Sequence, residues 1–125
     1  MTPRLLVLDD DASILTLLRS YFAALGWAVD VCEEASRAMG LIDSDAYDAV
    51  ICDLHFGVGH GGEGLEVVSR ARRRWPRAAV VLFTGAAGAG VRSAALEAGA
   101  DEVIAKPAPL ARLRDAAVAA MAIRQ

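Results

Sequence analysis

The amino-acid sequence predicts a doubly wound α/β sandwich with a five-stranded parallel sheet. Short apolar stretches of strand length alternate five times with stretches of helical periodicity. The strand-length stretches are apolar throughout instead of alternating with polar residues, which is typical of strands that are buried on both faces. With 125 residues, 55% of them hydrophobic, the chain has room for one domain with one core. We therefore expect a single domain over residues 1–125.

The first part of the chain contains two predicted strand–helix units. In chain order, the strand, helix, strand and helix are expected at residues 5–8, 14–25, 27–32 and 35–42. The first helix is marked by apolar residues at helical spacing. Asp11 is a suitable N-cap for it, and Gly26 is a suitable C-terminal stop.

The second part continues the alternation and adds two glycine-rich loops, at residues 57–64 and 85–90. Three strands and three helices are expected there, at residues 49–52, 65–75, 78–83, 91–98, 103–105 and 110–123. Pro76 ends the first of these helices and Gly99 ends the second. Strand and helix thus alternate to the end of the chain.

Composition argues against several classes of function. The formal net charge of −3 gives no broad positive surface for nucleic acid, and the arginines of residues 70–77 and 112–124 are expected to be solvated helix faces. Cys32 and Cys52 lie in apolar strand segments without metal-type or redox-type spacing, so buried free thiols are expected. No signal peptide or apolar run of membrane length is recognisable, which leads us to expect a cytoplasmic domain.

Polar residues follow or close four of the five predicted strands. Asp9 and Asp10 follow the first strand, Asp53 the third, Thr84 the fourth and Lys106 the fifth. The carboxyl ends of parallel strands lie along one edge of the sheet, where doubly wound folds bind their ligands. We therefore expect these five side chains to converge.

This combination of side chains points to phosphoryl transfer. Three carboxylates in one crevice repel one another, so a divalent cation with oxygen ligands, Mg²⁺ or Mn²⁺, is expected to neutralise them. A hydroxyl and an ammonium group can hold the oxygens of an incoming phosphoryl group. The sequence therefore predicts a phosphoryl-transfer site in which a carboxylate is the nucleophile.

Four short motifs carry a resemblance to a known family. They occur in the family's order, at residues 8–11, 51–54, 83–85 and 105–107. The ordered set, which covers the whole chain, resembles the receiver domain of response regulators, the CheY-like superfamily of two-component and phosphorelay signalling. The resemblance implies a flavodoxin-like (βα)5 three-layer sandwich and a phosphorylation switch, not an enzyme.

The resemblance also implies a role for each acidic residue. Asp53 would accept a phosphoryl group from a histidine kinase or a histidine phosphotransfer protein. Asp10 and Asp53 would ligate the metal directly, Asp9 would act through water, and the main-chain carbonyl of His55 would be a further ligand. Asp11 is expected to be a helix cap only.

The remaining implications concern the phosphorylated state. Thr84 and Lys106 would bind the phosphoryl oxygens, and the Lys106–Pro107 peptide is expected to be cis. Phosphorylation would change the affinity for a downstream protein, whose identity the sequence does not give. A homodimer through the last helix and the fifth strand is a further expectation, whereas direct contacts with nucleic acid or membrane are not expected.

The chain departs from the family's pattern around the site. The loop after Asp53 lacks the usual proline, is about three residues longer and is rich in glycine. Val103 and Ala108 stand where the family carries aromatic residues, and the loop at residues 85–90 is rich in glycine and alanine. We therefore expect the chemistry to be retained and signalling to use motion of the loop after Thr84, or a changed dimer preference, without an aromatic switch.

Three alternatives are kept open. A receiver-fold interaction or dimerisation module that works unphosphorylated would explain Val103. Residues 9–13 loosely resemble the opening motif of haloacid-dehalogenase-type phosphatases, in which Asp9 would be phosphorylated, but Asp115 is the sole acid after Lys106. The glycines of residues 84–90 resemble a dinucleotide-binding loop, although they follow the fourth strand and not the first. The phosphorylated residue, dinucleotide binding and the effect of phosphorylation on partner affinity discriminate between these readings.

Overall fold

The computed structural model describes residues 2–54 and 62–124. Within these ranges, strands and helices alternate along the whole chain. In order, the elements are β1 (Arg4–Leu8), α1 (Ala12–Ala24), β2 (Ala28–Cys32), α2 (Ala35–Ser44), β3 (Ala49–Cys52), α3 (Gly62–Arg74), β4 (Ala79–Thr84), α4 (Ala89–Ala98), β5 (Glu102–Ala105) and α5 (Leu110–Ile123).

The five strands form one parallel sheet in the order β2-β1-β3-β4-β5. Helices cover both faces: one core cluster joins strand residues to α2, α3 and α4, and a second joins the intervening strand residues to α1 and α5. In β1, Leu6 and Leu8 belong to the first cluster, whereas Leu5 and Val7 belong to the second. The predicted doubly wound, three-layer sandwich is therefore confirmed.

Burial of the strands follows their position in the sheet. Every residue of β3 and β4 is buried, since these strands have a neighbour on each side and a helical layer on each face. In β2, at the edge, Ala28 is exposed and Asp30 is half-buried. The prediction that all strands are buried on both faces is therefore wrong for β2, because an edge strand lacks the cover of a second neighbour.

Most helix boundaries agree with the signals in the sequence. Asp11 caps α1 through its carboxylate, which accepts a hydrogen bond from the backbone N–H of Ser13 at 2.9 Å. Gly99 follows α4 in the left-handed conformation, with φ at 119°. Helix α3 differs, since it begins at Gly62, inside the segment predicted to be a loop. Glycine has a low helix propensity, so the local sequence did not predict a helix at these residues. The start of α3 depends instead on tertiary packing.

The expectation that the arginines of residues 70–77 and 112–124 are solvated is wrong for two of them. Arg72 donates to the Asp101 carboxylate at 2.8 Å and to the carbonyl oxygens of Gly99 and Ala78 at 2.9 and 2.6 Å. Arg124 donates to the same carboxylate at 2.6 Å. These contacts join residues far apart in sequence, so helical periodicity could not reveal them.

The two cysteines are buried free thiols, as predicted. Burial raises the pKa of Cys32 to about 11, and it also raises the pKa of Cys52. Among the described helices, none has both the length and the apolar character needed to cross a bilayer.

Candidate functional site

Four strand ends bring the predicted site residues to one edge of the sheet. Asp9 follows β1 and Asp53 follows β3, and the backbone N–H of Asp53 donates to the carbonyl oxygen of Leu8 at 2.9 Å. Thr84 is the last residue of β4, and the backbone N–H of Lys106, which follows β5, donates to its carbonyl oxygen at 2.9 Å. Hydrogen bonds between parallel strands thus continue into the site and fix its backbone.

Three carboxylates form an acidic cluster. Asp9, Asp10 and Asp53 each offer an oxygen, and these oxygens lie within 4.8 Å of one another. Asp9 and Asp53 are only 2% and 5% exposed, whereas Asp10 is exposed. Burial raises the pKa of Asp9, although hydrogen bonds from Lys106 and Asp11 oppose this effect. The predicted convergence of the carboxylates is therefore observed, and it concentrates negative charge that a cation would relieve.

Lys106 bridges two of these carboxylates. Its Nζ atom lies 2.7 Å from Asp9 Oδ2 and 3.1 Å from Asp53 Oδ2. Burial alone would lower the pKa of Lys106, but the bonds to the two carboxylates outweigh burial and the pKa is raised. The ammonium group is therefore charged at neutral pH and lies directly beside Asp53.

Thr84 contributes a buried hydroxyl at the end of β4. The residue is fully buried, and its Oγ1 atom accepts a hydrogen bond from the backbone N–H of Ala86 at 3.3 Å. A hydroxyl that accepts in this way still has its own proton to donate. The Lys106–Pro107 peptide is cis, as expected.

Gly64, in the first turn of α3, packs against the backbone that follows Asp53. A Cβ atom at this position would lie 2.8 Å from Leu54 Cα and 3.0 Å from the Asp53 carbonyl oxygen. Only a residue without a side chain allows so close an approach. The sequence did not indicate this role, because Gly64 is one of several glycines in its segment.

Asp11 has a second contact that the sequence did not reveal. In addition to capping α1, it donates its backbone N–H to Asp9 Oδ1 at 2.9 Å and so orients that carboxylate. Two other expectations lie outside the described residues. These are the main-chain carbonyl of His55 as a metal ligand and the part of the glycine-rich loop at residues 57–61.

The arrangement is suited to bind a hard cation and an anionic group next to each other. Ligand oxygens around Mg²⁺ are about 3–4 Å apart, so the three clustered carboxylate oxygens fit such an ion after small adjustments. Lys106 and Thr84 offer a positive charge and a hydroxyl at the neighbouring strand ends. An ammonium and a hydroxyl are groups that can bind the oxygens of a phosphoryl group.

Comparison with known proteins gives matches in both sequence and structure. The family model of the response regulator receiver domain matches residues 5–118. The chain is 33% identical over 113 residues to the response regulator MprA of Mycolicibacterium vanbaalenii, a match that covers 90% of this chain and 48% of the relative. It is also 33% identical over 104 residues to the photosynthetic apparatus regulatory protein RegA of Rhodobacter capsulatus, covering 83% of this chain and 55% of RegA. The chain thus spans about half the length of these curated relatives.

Solved structures show the same architecture. A CheY-like receiver domain protein from Methanospirillum hungatei superimposes with a TM-score of 0.89 at 22% identity, covering 99% of this chain and 97% of the other. A response regulator from Burkholderia pseudomallei, solved with a phosphorylated aspartic acid, a calcium ion and citrate, gives a TM-score of 0.85 at 25% identity. That match covers 98% of this chain and 71% of the other.

Proposed function

This chain belongs to the response regulator receiver domain family of two-component signalling, and we propose that it is a phosphorylation switch with Asp53 as its phosphoacceptor. The observation that carries the proposal is the bond of 3.1 Å between Lys106 Nζ and Asp53 Oδ2, within a cluster of three carboxylates. Asp53 is the buried carboxylate at the end of the central strand β3, where Lys106 can neutralise an added phosphoryl group. The phosphorylated aspartic acid of the Burkholderia pseudomallei relative supports the same chemistry.

We propose that Asp10 and Asp53 bind a divalent cation, Mg²⁺ or Mn²⁺, directly, that Asp9 binds it through water, and that the main-chain carbonyl of His55 is a further ligand. The mutual distance of the carboxylate oxygens supports this set. Asp10 is the exposed member and is suited to bind an ion that arrives from solvent, whereas Asp9 is held by Lys106 and by the Asp11 N–H. When bound, the ion supplies positive charge that draws the phosphoryl oxygens toward Asp53.

In the proposed reaction a carboxylate oxygen of Asp53 attacks the phosphorus of a phosphohistidine. A P–O bond to Asp53 forms as the P–N bond breaks, and the donor imidazole leaves with the electron pair and takes a proton from solvent. Hydrolysis by water later returns the free carboxylate and inorganic phosphate.

Lys106 and Thr84 bind the transferred group. The ammonium of Lys106 already contacts Asp53, so a short shift places it against a phosphoryl oxygen. Thr84 donates its hydroxyl proton to another of these oxygens, for which the side chain moves from the end of β4 toward Asp53. Both contacts strengthen as charge gathers on the phosphoryl oxygens, and they stabilise the modified state.

A small phosphoramidate donor tests this chemistry, because it carries the same P–N bond as phosphohistidine. The wild-type protein is expected to take up phosphoryl groups in Mg²⁺ and not in chelator, as followed on phosphate-affinity gels. Asp10→Asn should require more Mg²⁺ for the same rate, whereas Asp115→Asn, an exposed acid on α5, should behave as wild type. Uptake that is indifferent to Mg²⁺, or an unchanged Mg²⁺ requirement in Asp10→Asn, would argue against the proposed metal set.

The partners follow from the family in general terms. Receiver domains are signalling domains that interact with kinases and downstream effectors. For this chain we propose a histidine kinase or a histidine phosphotransfer protein as donor, a downstream protein as target, and a homodimer through α5 and β5. The domain extent of residues 1–125 and the cytoplasmic location are likewise proposals.

One observation favours a second candidate, a receiver-fold module that binds its partner without phosphorylation. Val103 is 2% exposed and packs in the core, where the resemblance would place an aromatic switch. The two candidates differ in whether modification of Asp53 changes affinity for a partner. Equal affinity of the modified and unmodified protein for a captured partner would favour the second.

A further inference from the structure

Helix α4 has the fewest buried residues of the described helices. Ala95 is its one fully buried residue, whereas α1 buries Leu15, Leu18 and Phe22. The N-cap of α4 is Gly88, which makes no side-chain cap hydrogen bond. Few buried apolar contacts and an uncapped N-terminus are the properties of a segment with low local stability.

The side chain of Arg92 connects this helix to β5, an outer strand of the sheet. Its Nη1 atom donates to the carbonyl oxygen of Val103 in β5 at 3.0 Å. The backbone N–H of the same residue donates to the Gly88 carbonyl oxygen at 2.9 Å and closes the first turn of α4. Val103 also shares a core cluster with Ala95. Arg92 therefore joins the N-terminal turn of α4 to β5 with a charge-assisted hydrogen bond.

Both partners of this bond are connected to the functional site by short segments. Thr84 precedes α4 by the loop of residues 85–88, and the hydroxyl of Thr84 is bonded to the Ala86 N–H in that loop. Val103 lies in the same short strand that leads into Lys106. A movement of Thr84 toward a group on Asp53 therefore displaces the start of α4, which carries Arg92. A movement of Lys106 toward the same group displaces β5, which carries Val103.

We propose that the Arg92–Val103 hydrogen bond is a latch that couples the functional site to α4. The latch is closed in the unmodified chain and opens when Asp53 carries a phosphoryl group, so this inference rests on the proposed function. Val103 has no ring that could change position, and a contact with its backbone carbonyl takes over the coupling. An element with two positions, biased by the site, is the physical requirement for such coupling.

Reciprocity provides a quantitative test. If occupation of the site favours the open latch, an opened latch must favour occupation of the site by the same factor. Beryllofluoride with Mg²⁺ is a suitable probe, since it imitates a phosphoryl group on a carboxylate. Arg92→Ala is expected to bind it roughly 3- to 10-fold more tightly than wild type, in the usual range of coupling between sites. Titration followed by amide NMR shifts measures this affinity.

Hydrogen exchange of the α4 amides provides a second readout. In Arg92→Ala these amides should exchange faster without beryllofluoride and change little when it binds, whereas in wild type they should change on binding. Arg73→Ala removes an exposed positive charge from α3 and is the matched control, expected to behave as wild type in both measurements.

The outcomes separate this inference from the proposed function. If wild type binds beryllofluoride and is phosphorylated on Asp53, but Arg92→Ala binds the probe with unchanged affinity, the latch is refuted and the proposed function stands. An equal gain of affinity in Arg73→Ala would attribute the effect to net charge and would also refute the latch. If wild type neither binds beryllofluoride nor becomes phosphorylated, both fail together.

Discussion

At the scale of single residues, the buried hydroxyl of Thr84 is expected to act on the phosphoryl group and not only on the fold. Thr84→Val keeps the shape and removes the hydroxyl, whereas Thr84→Ser keeps the hydroxyl. One hydrogen bond to a charged group contributes about 1.5–3 kcal/mol, so Thr84→Val should slow phosphoryl uptake by roughly 10- to 100-fold. Initial rates with one donor at fixed Mg²⁺ measure the effect.

Thr84→Ser is the control and should remain within a few-fold of wild type. Melting curves of both variants establish that they are folded, since Thr84→Val leaves the Ala86 N–H without its Oγ1 partner. A valine variant that is folded and reacts at the wild-type rate would exclude Thr84 from the reaction.

The buried thiol of Cys32 makes the free energy of unfolding depend on pH in the alkaline range. Burial raises its pKa to about 11, whereas the thiol of an unfolded chain has a pKa of about 8.5. The stabilisation is fully present below the unfolded pKa and is lost as pH rises through the folded pKa. Between the unfolded and the folded pKa, the titration of this thiol should lower the free energy of unfolding by about 1.4 kcal/mol per pH unit.

Cys32→Ala removes this contribution and leaves the other titrating groups in place. The difference in free energy of unfolding between wild type and variant should therefore shrink between pH 8 and pH 11 by up to about 3 kcal/mol. Urea unfolding with reductant present measures both. Parallel pH profiles would contradict the prediction.

At the scale of elements, the N-terminal turn of α3 depends on glycine. A Cβ atom on Gly64 would lie 2.8 Å from Leu54 Cα, and backbone atoms there can yield only if the helix shifts. Gly64→Ala should reduce the free energy of unfolding by about 1–3 kcal/mol and slow phosphorylation, because the displaced peptide carries Asp53.

Gly40 provides a matched control in α2. A Cβ atom on Gly40 would meet nothing within 4 Å, and the residue is exposed. Gly40→Ala should therefore stabilise the protein by about 0.5–1 kcal/mol, the usual gain in a helix interior. If both variants shifted the urea midpoint in the same direction, the steric interpretation of Gly64 would be wrong.

A second element-scale prediction concerns the hydrogen-bond network at the other end of the strands, where β4 and β5 begin. Asp101 accepts hydrogen bonds from Arg72, from Arg124 and from the backbone N–H of Val80, so it joins α3, the residue that ends α5, and β4. Arg72→Ala leaves this carboxylate and three carbonyl groups with fewer partners, and we expect a loss of about 2–4 kcal/mol. Urea unfolding measures the loss.

Arg73 lies next to Arg72 and is exposed, so Arg73→Ala should change the free energy of unfolding by less than about 0.5 kcal/mol. The contrast between two adjacent arginines distinguishes a specific network from the charge of the helix. Equal effects of the two substitutions would show that the contacts of Arg72 contribute nothing beyond its charge.

At the scale of the whole molecule, the periodic part of the sequence determined what could be predicted. Apolar runs and helical spacing gave the order of elements, and the polar residues after the strands gave the edge at which Asp9, Asp53 and Lys106 meet. The start of α3 and the network around Arg72 could not be predicted. They depend on contacts between residues distant in sequence, which leave no periodic signal.

The resemblance to a family likewise predicted one part of the structure and missed another. It implied the cis Lys106–Pro107 peptide, which the structure contains. It gave no indication of the Arg92–Val103 bond, because the family's aromatic residue is absent at that position and a backbone carbonyl carries no sequence signal. The departures from the family are therefore where the structure adds most.

The most direct test of the central claim is to identify the residue that becomes phosphorylated. The protein is treated with a small acyl-phosphate donor and Mg²⁺, its intact mass is measured, and the acyl phosphate is then reduced with borohydride so that peptide mapping locates it. We expect one phosphoryl group on wild type, located at Asp53, and none on Asp53→Asn. A phosphoryl group located at Asp9, or one that persists in Asp53→Asn, would contradict the assignment of Asp53 as the phosphoacceptor.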